Sequence, residues 1–146
     1  MRFRFLIVAA CVIAGLSAAV VAQEDVIAER KALMKANGAA ARTASETING
    51  VKPFDAAAAA EAARTIAHDL EVFPTLFPPG SDQGDTTASP AVWTQMEKFK
   101  ELAAKTVGDA NAAAEAAAEG VEAFKAAFDV VGGNCQSCHE DFRVRR

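Results

Sequence analysis

An all-helical bundle is the fold class this sequence predicts, and three observations predict it. β-Branched residues are sparse, alanine is abundant, and long stretches repeat apolar residues at helical spacing. Four antiparallel helices in up-down order are the expected architecture. The 146 residues, with 51% hydrophobic and 23% charged side chains, suit one compact domain with a substantial core.

The chain opens MRFRFLIVAACVIAGLSAAVVAQED. Arg2 and Arg4 precede an apolar run from Phe5 to Val21, and Val20-Val21-Ala22 then meets Gln23, which is the order of a secretory signal and its small-residue cleavage site. The expected division is a signal peptide over 1–22 and a bundle domain over 23–146, exported to the periplasm with no stable membrane span after cleavage. The competing reading, a retained anchor, has an apolar run barely long enough to span. Cleavage removes two arginines and no acid, so the formal charge falls from −4 to −6. An acidic domain is a poor nucleic-acid binder, and its field steers toward a basic partner.

The first helix is expected to begin near Glu24 or Asp25, whose acids suit a helix start, with Ile27, Arg30 and Met34 as its inward stripe. Asn49-Gly50 and Lys52-Pro53 break it. Asp55 then caps an alanine-rich second helix that Pro74 closes. PTLFPPGSDQGDTTAS follows as an ordered loop in which Leu76 and Phe77 cover one end of the core. Ser89 as cap and Pro90 at the first helical position start helix three, whose seam is Val92, Met96, Phe99, Ala103, Thr106, Ala110 and Ala113. Helix four follows Glu119-Gly120 and carries the same rhythm at Val121, Phe124, Phe128, Val131, Cys135, Cys138 and Phe142. The alternative for the alanine-rich segments is low-complexity linker, which would carry neither seams nor caps.

Cys11 lies in the signal, so the exported domain keeps Cys135 and Cys138, and an oxidising compartment leaves such a pair either bridged or occupied. Both fall on the seam of helix four, and His139 follows at once. C-x-x-C-H is the attachment signature of a c-type haem, in which two thiols bond the haem and the imidazole ligates its iron. Three readings compete. Structural zinc needs four ligands where only His68 is left to add; a thioredoxin-like couple belongs at a helix start in a βαβ pattern; a plain disulfide needs no histidine beside it.

The signal peptide, the four-helix pattern, FPPGSD at 77–82, Trp93, and EAFKAAFDVVGGNCQSCHEDFR at 122–143 with its terminal haem motif together resemble the class II cytochromes c, the cytochrome c-prime family. The resemblance spans essentially the whole mature chain and is strongest to the low-spin, His/Met-ligated branch. Class I cytochromes c differ by attaching haem near the N-terminus. The resemblance implies one covalent haem c enclosed by the bundle, His139 as proximal iron ligand, and Arg143 beside the haem. Phe142 stands where the family commonly has tyrosine. It also implies that the residue four after the arginine of helix one decides the coordination: an apolar side chain leaves iron five-coordinate, and a methionine completes it. Here that residue is Met34, four after Arg30.

The function expected from this is a one-electron carrier with His139 and Met34 on the iron, no substrate transformed, and a redox partner protein of unknown identity. The alternative is a five-coordinate protein binding nitric oxide or carbon monoxide, with Met34 as core filler; an exported helical protein with a disulfide and no haem comes last. Arg30 is expected to meet a haem propionate, or else to be a solvated cation like Lys31 and Lys35. Met96 is expected to pack in the seam, and His68 to lie at the surface. Gly132 and Gly133, costly in a helix interior, suggest close approach of a helix or the haem edge, or a local break. Monomer and homodimer both stay open.

Overall fold

The computed structural model describes the backbone of residues 3–145 and the side chains of residues 25–145; the side chains of the expected signal and its cleavage site lie outside the described residues. Helix α1 runs Phe3–Ile48, α2 Ala56–Val72, a one-turn α3 Ala91–Thr94, α4 Met96–Ala116 and α5 Val121–Phe142, with 3₁₀ turns at Phe73–Leu76 and Ala117–Glu119. The four long helices are the four expected. α2 packs against α1 and α4, α4 against α5, and α5 returns to α1, which closes the bundle. Among the described residues no helix is long and apolar enough to cross a membrane.

Two boundaries differ from expectation. α1 passes through Glu24 and Asp25 without interruption, because no proline or glycine stands between Leu16 and Asn37 to stop it. The third helix is split. Ser89 does cap its start, its Oγ accepting from Ala91 N at 3.2 Å, but Gln95 leaves helical geometry at φ −130°, ψ 40°. The first turn belongs to the loop, with Val92 buried and Trp93 Nε1 donating to Pro78 O at 3.2 Å, whereas α4 belongs to the bundle seam. Asp55 caps α2 as expected, accepting from Ala57 N and Ala58 N at 2.9 and 3.1 Å.

The alanines are core. Ala44, Ala59, Ala63, Ala110 and Ala113 are wholly buried, so small side chains let α1, α2 and α4 approach closely, and the linker reading of these segments falls. Phe124 fills the same cluster, with Phe54 and Phe128 packed on it. The seams hold: Val92, Phe99, Ala103, Thr106, Ala110 and Ala113 are buried, and so are Phe124, Val131 and Phe142. Gly132 and Gly133 are exposed, α5 is unbroken across them, and a Cβ at either would meet nothing, so the expected helix contact or break is absent and nothing in the structure explains the pair.

A second cluster is aromatic. Leu76, Phe77, Val92, Phe99 and Phe142 are buried together, with Phe77 edge-on to Phe99 at 5.0 Å and Phe99 to Phe142 at 5.1 Å. Leu76 and Phe77 therefore do cover one end of the core. The loop that carries them turns sharply at Pro78-Pro79-Gly80-Ser81, where Ser81 N donates to Pro78 O at 3.2 Å and Gly80 sits at φ +83°. That geometry demands glycine at the third position. The loop then pins the end of α5: Ser89 N donates to Phe142 O at 2.8 Å and Val144 N to Thr87 O at 2.9 Å, a bridge that fixes Arg143 beside Ala88.

Candidate functional site

The two clusters do not fill the bundle between them. A cavity of about 530 Å³ opens there, walled by both, by the inward face of α1 and by the last two turns of α5. All six residues singled out in the sequence line it: Arg30, Met34, Cys135, Cys138, His139 and Arg143. They come from two helices far apart in the chain, α1 and α5, and the up-down topology is what brings them to one space.

Cys135 and Cys138 are half-buried free thiols on one face of α5. Burial raises both thiols, Cys138 to about 11 with added repulsion from Cys135 and Asp141, so both are neutral at physiological pH. His139 lies at the exposed rim. Partial burial and then the charge of Arg143 lower its pKa, which favours the neutral imidazole, the form with a free ring nitrogen. Met34 is half-buried in the opposite contribution to the wall, from α1. Among the described residues no three His, Cys, Asp or Glu side chains gather to hold a metal ion, which leaves the zinc reading without a ligand set.

Arg30 is neither solvated nor idle. It is 4% exposed, its Nε donates to Leu76 O at 2.8 Å, its Nη1 to Ser81 O at 2.9 Å and its Nη2 to Ser81 Oγ, and burial lowers its pKa. Arg143 is exposed at the other end of the cavity wall, held by the bridge to Ala88. Met96 is half-buried against the aromatic cluster, outside the cavity lining, and His68 is exposed beside Asp69, as expected of both.

Sequence reasoning missed Asn37 and Asn134 in the wall, and had Thr106 only as a seam residue. Asn37 follows Met34 by three on α1, and its buried Oδ1 has no hydrogen-bond partner. Thr106 donates to Leu102 O at 2.7 Å. Asn134, buried immediately before the motif, donates to Asp109 Oδ2 at 2.6 Å and accepts from Lys105 Nζ at 3.0 Å, tying α5 to α4. The signal for Asn134 was present: it follows Val131 by three, the step that also separates Cys135 from Cys138.

These residues fit a haem c. The wall is apolar over most of its area through Ile27, Ile66, Leu70, Phe73, Phe77, Val92 and Phe99. It offers two unpaired thiols at C-x-x-C spacing, one imidazole, one thioether, and cations with no carboxylate among the lining side chains.

The comparisons with known proteins agree with that chemistry. The sequence profile of the Cytochrome C' family matches residues 25–143. A cytochrome c' of Rhodopseudomonas palustris is 39% identical over 100% of this chain and 99% of its own. A cytochrome c-556 of Agrobacterium fabrum is 33% identical over 96% of this chain and 95% of its own. In structure, cytochrome c' from Rhodopseudomonas palustris superposes with a TM-score of 0.79 at 39% identity, covering 84% of this chain and 98% of that one. Cytochrome c556 from the same organism gives 0.75 at 27% identity, over 84% and 98%. The matched span takes in the whole cavity wall from Ile27 to Arg143 and with it the motif that prompted the haem reading, and on that footing the chain belongs to the cytochrome c' family.

Proposed function

We propose that this chain is an exported one-electron carrier of the periplasm whose iron is ligated by His139 and Met34. The cofactor is one haem c, held by thioethers from Cys135 and Cys138. The observation that carries the reading is that Met34, on α1, lines the same cavity as Cys135, Cys138 and His139, on α5. When bound, the haem supplies an iron that accepts and returns one electron.

The rest is done by the chain. His139, neutral, offers a ring nitrogen, and Met34 offers a thioether, a pair that favours the reduced state. Ile66, Leu70, Phe77 and Phe99 keep water off the inner wall. The bridge between Thr87 and Val144 and the hydrogen bond from Ser89 to Phe142 hold the end of α5 in place, so the ligands change position little between oxidation states. The role proposed for the chain is to bury, ligate and present the haem.

A second reading has one observation in its favour. The 39%-identical relative is named cytochrome c', the branch in which the resemblance implies a five-coordinate iron open to nitric oxide or carbon monoxide. The visible spectrum of the oxidised protein separates them. Low-spin bands are expected of the carrier; high-spin bands would move the gas binder ahead, and no Soret band would end both.

A further inference from the structure

Four cations line the cavity, Arg30, Lys31, Lys35 and Arg143, and neither Asp nor Glu does. This is a local excess of positive charge in a chain whose formal net charge is −4. α2, α4 and the loop stretch 86–88 add no charged side chain to the wall, so the cavity's positive charge comes from α1 and the end of α5.

Two of the four are already engaged. Three of Arg30's N–H groups serve Leu76 O, Ser81 O and Ser81 Oγ, and the guanidinium lies 4.0 Å over the Phe77 ring. Turning it toward another anion would strand buried carbonyls, each at a cost comparable to a lost hydrogen bond. Lys31 Nζ sits 2.5 Å from Asp85 Oδ2. Lys35 and Arg143 make no hydrogen bond or ion pair among the described residues. They stand next to the two expected iron ligands in sequence, Lys35 one past Met34 and Arg143 four past His139.

We infer that Lys35 and Arg143, and not Arg30, are the partners of the two carboxylates of the bound haem. The inference rests on the haem reading above and revises one part of it, the role expected of Arg30. A haem enters an apolar cavity carrying two fixed anions at its edge, and a carboxylate that loses water must gain a cation or a donor to stay ionised. Lys35 has a long flexible stem and Arg143 a planar fork, so both can reach inward while their own backbones stay at the surface. Arg30 instead builds the wall against which the haem lies.

The test is the pH dependence of the reduction potential of the haem-loaded protein, measured from about pH 4 to about pH 9, in Lys35→Gln, Arg143→Gln, the double variant, and Arg30→Gln and Lys31→Gln as comparators. An ionising haem carboxyl puts an inflection in that curve, and redox-difference infrared spectra assign it by the carboxylic C=O band. Removing a paired cation raises the carboxyl pKa, so the inflection is expected to move up by about one pH unit in each of the first two variants and further in the double. It is expected to stay put in Lys31→Gln, and in Arg30→Gln to move less than in either of the first two variants. An inflection unmoved in Lys35→Gln and Arg143→Gln, or moved only in the comparators, overturns the assignment, and movement in one of the pair alone overturns the other half. The Soret band reports haem loading and its spin state reports Met34, so failure of the parent reading shows separately.

Discussion

The guanidinium of Arg30 lies over the Phe77 ring, 4.0 Å from the ring centroid, while the same side chain donates to the carbonyls before and beyond that ring, Leu76 O and Ser81 O. A helix arginine thus clasps a loop across 46 residues of sequence. Trp93 closes the far side, its ring 5.5 Å from the guanidinium and its Nε1 bonded to Pro78 O. The loop that covers the cavity is held from the inside by one charge.

Arg30→Gln is therefore expected to lower stability by about 2 kcal/mol or more, since at least two carbonyls lose a charged donor and a cation–π contact goes with them. Denaturant midpoints of the haem-loaded protein measure the loss, and amide exchange at Leu76 to Ser81 should quicken. A change below about 0.5 kcal/mol would mean that the loop holds itself through its own turn.

How much of this was legible beforehand varies by element, for physical reasons. The seams of α4 and α5 and the cap at Asp55 were readable because each is a local pattern that the helix itself enforces. Met34 and Cys135 could be expected to share a space only through the resemblance, since no spacing rule joins α1 to α5. The clasp on Phe77 was illegible, because an arginine on an inward stripe looks the same whether it meets a cofactor or a loop. The break at Gln95 was equally hidden: two anchors pull the chain in different directions, and neither is a neighbour in sequence.

Covalent loading is expected to depend on the two thiols separately. Cys135→Ser or Cys138→Ser, expressed with a haem-attachment system, is expected to impair loading, because each thiol supplies one thioether. Mass spectrometry of the mature chain checks this together with the expected start at Gln23 and one added haem. A mass without haem, and with Cys135 joined to Cys138, would end the cytochrome reading.

Asp109 makes a pH-dependent tie between α4 and α5. Hydrogen bonds from Lys105 and Asn134 hold its carboxyl below the ordinary aspartate range. A depressed folded pKa contributes stability that is complete above the unfolded value and fades as pH falls through the folded one, so the tie should weaken below about pH 4. The Asp109 side chain is 30% exposed, so water still screens the tie and the contribution is expected to stay under about 1 kcal/mol. Comparing the acid limb of unfolding in the parent and in Asp109→Asn measures it, and identical curves would show that the tie carries no charge-dependent stability.

Electron exchange with a basic partner should slow as salt rises. Removal of residues 1–22 with their two arginines, as expected, would leave a formal charge of −6, and salt would screen the attraction that steers the encounter. Rates taken across about 10 to 500 mM salt test this, and a rate that stays flat would assign docking to uncharged contacts.

Met34→Leu decides between carrier and gas binder. Leucine nearly conserves the volume of methionine, so the packing cost should stay below about 1.5 kcal/mol and the bundle should remain folded, while the thioether is lost altogether. The oxidised spectrum is then expected to change from low-spin to high-spin. The reduction potential should fall, because the thioether's preference for the reduced metal is gone. Carbon monoxide should bind faster to the reduced variant than to the parent, where an internal ligand has first to leave. Met34 lines the cavity and Met96 does not, so Met96→Leu is expected to leave all three measurements unchanged. If Met34→Leu leaves them unchanged instead, Met34 is filler in the wall and the gas-binding reading stands; if Met96→Leu moves them, the carrier survives with its second ligand on α4.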